Sequence, residues 1–547
     1  MKSLSAAIAA MSVVVLLLAA CGPSATATPV ASTTTPTPKV TGAPASAAPK
    51  GQLRVTTSEF SREEFDPAQF PIGSLSHNLG YPMFDSMVGA KADASVTPGL
   101  AQRWEMSPDG MSWTFYLRKD VKFHNGDPLT AEDVKFSLGR YMETTSTVTY
   151  GTVLREAIAS MDVVDPYTLR INMKKTDPYF AFLMAPLQAS VGFVMPKKYF
   201  EEKGVDYFKR NPVGSGPFKF VRHVLGDRVE FEAQTQHWRK VPAVKDLTVM
   251  LVPQEATAAA MLRSGQADIV EISAERIREL EGAGFRVERI PTTQVADLQI
   301  YGTWMEGAGP TADVRVRQAL SLAINREEVI QFVAGGGASR AFSVVPLFPF
   351  TLDIDPKEWQ PGKDYDPVRA KQLLQEAGYP QGFKIKLYSF PLAGIPWLQK
   401  MGEAVANYWG QIGVTTEIVP TEYGAFRPNF IPAPPKPAVV GQVSVFRNPA
   451  QWTQSSSVNT LYTSKGLLQL LHSEEVDRLV AIATSDLDPA KRQQALRELF
   501  TKVRDSYVTI PVAYVDGLFG LSPKIASWQP IAGLTFIGPA FETVTFK

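Results

Sequence analysis

Between positions 113 and 118 apolar and polar side chains alternate, Trp113, Phe115 and Leu117 against Thr114, Tyr116 and Arg118. That period of two predicts a strand with one buried face. Ser107-Pro108-Asp109-Gly110 ahead of it and Asn125-Gly126 behind it read as turns. Thr130 with Asp133 three residues on predicts a capping box that opens a helix. Leu53-Arg54-Val55-Thr56 predicts a first strand. Further along, the period lengthens. Val316, Leu320, Ala323 and Ile324 fall on one helical face, and Asn325 with Glu328 marks a helix start that runs out at Gly335-Gly336-Gly337. Asp366-Pro367 ahead of 370–377, with Gly378 just beyond, gives both a start and a stop. Strands alternating with helices in this way predict α/β layering. No internal repeat is evident.

The first 50 residues do not follow these patterns. Lys2 and the apolar stretch 6–20 read as a signal segment too short for a comfortable membrane span. Leu18-Ala19-Ala20-Cys21 resembles a bacterial lipobox, which would make Cys21 the lipidated mature N-terminus. Cys21 is the single cysteine among 547 residues, so no disulfide pair competes for it. Residues 22–50 are almost wholly Ala, Thr, Ser and Pro and cannot bury a core, so a disordered linker is expected there. The remaining length predicts two or more lobes. With Lys+Arg 55 against Asp+Glu 54, no basic face for nucleic acid is indicated. No second apolar stretch is long enough to span a membrane.

The segment 97–140 reads TPGLAQRWEMSPDGMSWTFYLRKDVKFHNGDPLTAEDVKFSLGR. It closely resembles the signature of the extracellular solute-binding proteins of family 5, the peptide- and nickel-type binding lipoproteins of ABC importers. NPVGSGPFKF at 211–220, VRQALSLAINREEVI at 316–330 and DYDPVRAKQLLQEAGY at 364–379 resemble further motifs of that family. Ile412-Gly413-Val414 and Ile510-Pro511-Val512 do so as well. The resemblance implies a bilobal periplasmic-binding-protein-like α/β fold of type II with an extra subdomain. Lobe one would comprise 51–297 plus 509–547, with about 80–210 inserted, and lobe two 298–508. Crossings at 297–303 and 507–514 would form a two-segment hinge, with ligand between the lobes. The partners implied are a small-molecule or peptide ligand, ABC permease subunits and, through the N-terminal lipid, the cell membrane. No cofactor and no nucleic acid are implied, and a monomer is expected.

A catalytic constellation is not legible. The five histidines, His77, His124, His223, His237 and His472, show no metal-ligand spacing. There is no Gly-x-Ser-x-Gly elbow, and Gly335-Gly336-Gly337 lacks the Lys-Ser/Thr of a phosphate loop. His124 falls in the family's KFH.G turn, which implies a scaffold role. A tethered extracellular hydrolase therefore stays an alternative without a nucleophile or metal to support it, and a signalling or chaperoning receptor is a third reading.

For a binding protein the question is what lines the cleft, since such sites need flat apolar walls and a few fixed polar groups. Trp104, Trp113, Trp238 and Trp409 read as core. Trp304 lies in a Gly-rich context after the first crossing, Trp397 follows the loop 390–396, and Trp452 follows Phe446-Arg447-Asn448-Pro449. Cleft and core are both open for these three. In peptide-binding members the last region typically reads W.AD..DP.., and its aspartate pairs with the ligand's ammonium. Here 439–454 contains no acid at all, and Arg447 instead offers a planar fork suited to a carboxylate or phosphate. An ammonium buried there without a carboxylate would be strongly disfavoured. The candidate ligand-binding residues are thus Trp304, Trp397, Phe446, Arg447, Asn448 and Trp452. Candidate solutes are an oligopeptide, a sugar or oligosaccharide, and an anionic metabolite or metal chelate.

Overall fold

The computed structural model describes residues 48–60, 63–70, 78–148, 150–187, 190–344, 365–392, 395–431, 433–449, 454–534 and 536–547. The chain divides into two units, Met1–Ser46 and Ala47–Lys547. The first, with the signal and Cys21 expectations and nearly all of the linker, lies outside the described residues. The second begins with a strand at Lys50–Thr57, at the last residue of the expected linker.

The predicted local elements form for the reasons the sequence supplies. Ser112–Leu117 is a strand whose buried positions are Trp113, Phe115 and Leu117. Thr130 closes a capping box: its backbone N–H donates to Asp133 Oδ2 at 2.8 Å, ahead of the helix Ala131–Met142. Asp366 accepts from the Arg369 N–H to start the helix Pro367–Glu376. Asn325 accepts from the Glu328 N–H, but the turn it opens continues as a π-helical stretch, Val329–Val333.

An 11-stranded sheet runs through both lobes. Its lobe-one part orders Ile269–Glu271, Lys50–Thr57, Val244–Leu251, Arg228–Ala233 and Phe218–Val224 outward. Its lobe-two part orders Val443–Pro449, Lys384–Ser389 and Thr415–Pro420 outward, with Ala338–Arg340 on the second long strand. Between them lie the two longest strands, Arg286–Ile300 and Thr509–Leu521, paired antiparallel. A separate four-stranded sheet, from Ala101–Met106 to Thr168–Met173, belongs to the inserted subdomain. Its apolar side chains join one core with Leu53, Phe218 and Phe231 of the main sheet, so the insertion thickens lobe one instead of standing apart from it.

The two long strands change core partway along. Ile290, Phe519 and Leu521 pack in the lobe-one cluster, whereas Ala296, Leu298, Ile300, Ile510, Val512 and Val515 pack with lobe two. The ladder breaks at the same place, because its register shifts between Ile290 and Gln294. Pro291 there has no N–H to give to a ladder, and Thr292 sits at a φ of 53°. Side chains take over the bonding: the Thr292 N–H donates to Asp516 Oδ1 at 3.1 Å, and Thr293 Oγ1 donates to the Val515 carbonyl at 3.0 Å. The changeover of packing therefore falls at 291–293 and 516–517.

Candidate functional site

The strand Val443–Pro449 places three of the six candidate residues at the lobe boundary. It pairs antiparallel with the first long strand, Phe446 opposite Asp297, Arg447 opposite Ala296 and Asn448 opposite Val295. The next rung, Gln294 with Pro449, is the last before the break at 291–293. Alternation then divides the three between two faces. Phe446 and Asn448 share a face with Val295, Asp297, Gln299 and Ser444. Arg447 lies on the opposite face with Val443, Val445, Ala296 and Leu298.

The first face is an aromatic wall with a buried polar floor. Phe446, 9 % exposed, meets Phe390, Tyr423 and Phe430 at ring-centroid distances of 6.0–6.3 Å. Below it Asn448 Nδ2 donates to Asp297 Oδ1 at 3.1 Å, while Asp297 Oδ2 and Asn448 Oδ1 are buried without a hydrogen-bond partner. Burial pushes the Asp297 carboxyl up to about 8, against the opposing pull of the Gln299 and Asn448 side chains. Tyr301 OH bonds Ser444 Oγ at 2.8 Å and donates to Gln299 Oε1 at 3.3 Å, and Tyr462 OH bonds Thr509 Oγ1 at 3.1 Å. Asp297 is the residue that reasoning from the sequence missed. Its signal was a single acid inside the otherwise apolar and amide run Gln294–Ile300.

On the second face Arg447 is half-buried. Its Nε is fully buried and has no hydrogen-bond partner. Desolvation lowers the guanidinium's pKa against the opposing pull of Tyr423, in lobe two, and Glu59, in lobe one. Across the boundary Glu271 ends the short strand Ile269–Glu271, and its carboxyl is raised by desolvation and by repulsion from Glu255 and Glu59. Glu255 is engaged by the Ser273 N–H and Oγ, each at 2.9 Å, and by Arg276 Nε at 3.0 Å.

The other candidates separate. Trp397 is 8 % exposed within the lobe-two core, so it packs as a core residue and does not present a free face. Trp304 is exposed, stacks on His472 at 4.3 Å and donates its Nε1–H to the Gln469 carbonyl at 3.0 Å. These contacts give it a local lobe-two partner. Trp452 lies outside the described residues. Of the tryptophans expected in the core, Trp113 and Trp409 are buried and Trp104 and Trp238 half-buried against it. A cavity of about 40 Å³ beside the second long strand, bounded by Arg326, Ser343, Arg504 and Tyr507 among others, touches none of the six candidates.

His124 is scaffold. Its Nε2 bonds the Gly216 carbonyl at 2.9 Å, its Nδ1 accepts from the Gly214 N–H at 3.4 Å, and desolvation lowers its pKa to about 4. Among the described residues no group of three or more His, Cys, Asp and Glu side chains could hold a metal ion. No helix there is long and apolar enough to cross a membrane.

The lobes also meet away from the crossing strands. Thr176 Oγ1 in the inserted subdomain donates to the Ser485 carbonyl of lobe two at 2.9 Å, and the Arg492 guanidinium lies 5.5 Å from the Tyr179 ring centroid. Lys400 Nζ lies 3.8 Å from Glu275. Two α/β lobes on a shared pair of long strands, meeting over a polar boundary, define the bilobal type II binding-protein fold.

Within that class the match is specific. The model of the bacterial extracellular solute-binding proteins, family 5 (middle) covers residues 95–456, and the chain belongs to that family. It is 26 % identical over 495 residues to heme-binding protein A of Haemophilus influenzae, covering 85 % of this chain and 87 % of that one. It is 28 % identical over 397 residues to the dipeptide-binding protein of Escherichia coli, covering 68 % and 72 % of the two chains. The structure of HbpA2 from Haemophilus parasuis superposes with a TM-score of 0.78 at 23 % identity, covering 91 % of this chain and 100 % of that one, and supports the fold.

Proposed function

We propose that this protein is the receptor subunit of an ABC importer. It captures a peptide or peptide-like solute between its lobes outside the cytoplasm and presents it to the permease, tethered through lipid on Cys21. The observation that carries the reading is the family match over 95–456, which takes in the inserted subdomain and the first long strand. The break at 291–293, where both ladder and core change hands, supplies a place for the lobes to swing about the sheet. The role is non-enzymatic because the family is one of solute-binding proteins. Relatives named for dipeptide binding favour peptide, while another relative is named for heme binding.

The test is mass spectrometry of small molecules released by unfolding protein purified without denaturant from a bacterial host. Peptides in the released fraction are expected. Release of neutral sugars alone would overturn the peptide reading, and steady consumption of an added peptide would overturn the non-enzymatic one.

A second reading, an anionic metabolite in the same cleft, is favoured by Arg447, whose buried Nε has no hydrogen-bond partner.

A further inference from the structure

In lobe two the helices Glu474–Ser485 and Pro489–Ser506 are joined by Asp486, Leu487 and Asp488 alone. Side chains fix this short loop. Asp488 caps the second helix by accepting from the Ala490 N–H at 2.8 Å, and Asp486 Oδ1 accepts from the Asp488 N–H at 2.8 Å. Arg492 Nη1 donates to the carbonyls of Asp486 and Leu487 at 2.8 and 3.0 Å. The loop so held presents a leucine that is 37 % exposed and lies outside both cores of lobe two.

Leu487 meets the inserted subdomain of lobe one instead. Gly110 closes the turn Ser107–Gly110 at a φ of 71°, and a Cβ there would lie 2.5 Å from Leu487 Cδ2 and 2.9 Å from Thr176 Cγ2. The bare backbone of Gly110 and the side chain of Thr176 thus form a slot that receives the tip of the leucine. Beside it Thr176 Oγ1 donates at 2.9 Å to the Ser485 carbonyl, one of those a helix end leaves without an intrahelical donor. Arg492, which holds the loop, also lies 5.5 Å from the Tyr179 ring centroid. The receiving segment is braced in turn. Buried Trp113 donates its Nε1–H to the Asp177 carbonyl at 3.1 Å, and Asp177 Oδ1 accepts from the Tyr179 N–H at 2.9 Å.

An apolar knob, a hydrogen bond and a cation–π contact therefore join lobe two to the insertion, all from residues outside the two crossing strands. Partial exposure suits a contact that must also come apart, because little apolar area is returned to water when it does. We infer that the loop 485–488 and the slot of Gly110 and Thr176 form a catch favouring the closed lobes, with Leu487 as its positioning residue. The inserted subdomain then takes part in capture, since a solute leaves when the catch opens. This rests on the reading that the lobes close on a solute.

The experiment uses the full mature chain, stripped of small molecules, and hydrogen–deuterium exchange read by mass spectrometry. In Leu487→Ala, exchange at 107–111 and 174–179, in the other lobe, should rise about threefold or more. Leu487→Met should stay near wild type. Thr176→Val, which keeps the wall of the slot and loses the donor, should speed exchange at 485–488 from the opposite side. Melting temperatures should hold within about 1 °C, because Leu487 belongs to neither core. A leucine that serves only its own loop would speed exchange at 485–488 and leave 107–111 and 174–179 unchanged, which overturns the inference.

A peptide pool from a protein hydrolysate tests the consequence for cargo. After dilution, peptides should leave Leu487→Ala about threefold faster or more, at an unchanged association rate. Equal release rates overturn the role of the catch in capture while leaving the peptide receptor intact. If the wild type retains no hydrolysate peptide, the peptide reading fails and the exchange result alone decides the catch.

Discussion

Replacing Asp297 with Asn should stabilise the protein at neutral and alkaline pH, against the usual effect of changing a fully buried polar residue. Asp297 is 0 % exposed, one of its oxygens has no hydrogen-bond partner, and burial pushes its carboxyl up to about 8 from an ordinary 3.8. Because the folded-state pKa is raised, the folded chain holds this proton more tightly than the unfolded one. The stability tied to it is complete below about pH 4 and is lost as pH climbs toward 8. Linkage between those two values amounts to about 2 kcal/mol by pH 5 and about 5 kcal/mol by pH 8. Asn removes the titration, keeps the oxygen that accepts from Asn448 Nδ2, and brings donors to a site where Asn448 Oδ1 lacks one. For a body of this size about 1 kcal/mol corresponds to about 1 °C in Tm. Calorimetry of both proteins at pH 5 and pH 8 should show the Asn variant gaining about 3–4 °C more over wild type at the higher pH. A variant less stable than wild type at pH 8, or an offset that does not change with pH, would refute a neutral, proton-holding Asp297.

His124 should show the opposite window. Its folded pKa is depressed to about 4 from 6.5, so the stability linked to its neutral ring is present above pH 6.5 and is lost as pH falls toward 4. Against His124→Gln, wild type should lose about 2 kcal/mol more between pH 7 and pH 4 in urea titrations, solvent at the ring edge screening the rest; equal losses would sink this reading. At Gly214 an added Cβ would lie 2.0 Å from the Met83 carbonyl oxygen. Gly214→Ala should therefore cost about 2–3 kcal/mol or prevent folding, and an unchanged denaturation midpoint would contradict that close approach.

Much of the scaffold was legible because it rests on local chemistry. The alternation at Trp113–Leu117, the box at Thr130 and Asp133, and the cap at Asp366 each specify an element within a few residues, and each forms. The lobe boundary was harder to place. It depends on which core a strand residue meets, and Ile290 and Ala296 look alike in sequence while packing in different clusters. The site was partly legible. Phe446, Arg447 and Asn448 share one strand, but pairing with the first long strand sends Arg447 to the other face, a consequence of register and not of composition. Trp397 was misleading as a possible cleft wall because a tryptophan after a loop can cap a helix inward, as it does ahead of Leu398–Gln411. Asp297 and Glu271 could be weighed only once partners far along the chain were in place.

The two lobes are expected to close on a solute about the break at 291–293. Small-angle X-ray scattering on the mature protein, stripped of ligand and then given back the molecules released by its own unfolding, tests it directly. The radius of gyration should fall on ligand return, and the contacts of Thr176 with Ser485 and Lys400 with Glu275 should gain protection from hydrogen exchange in their segments. Saturating ligand that binds and leaves both the scattering and the protection unchanged would contradict the account.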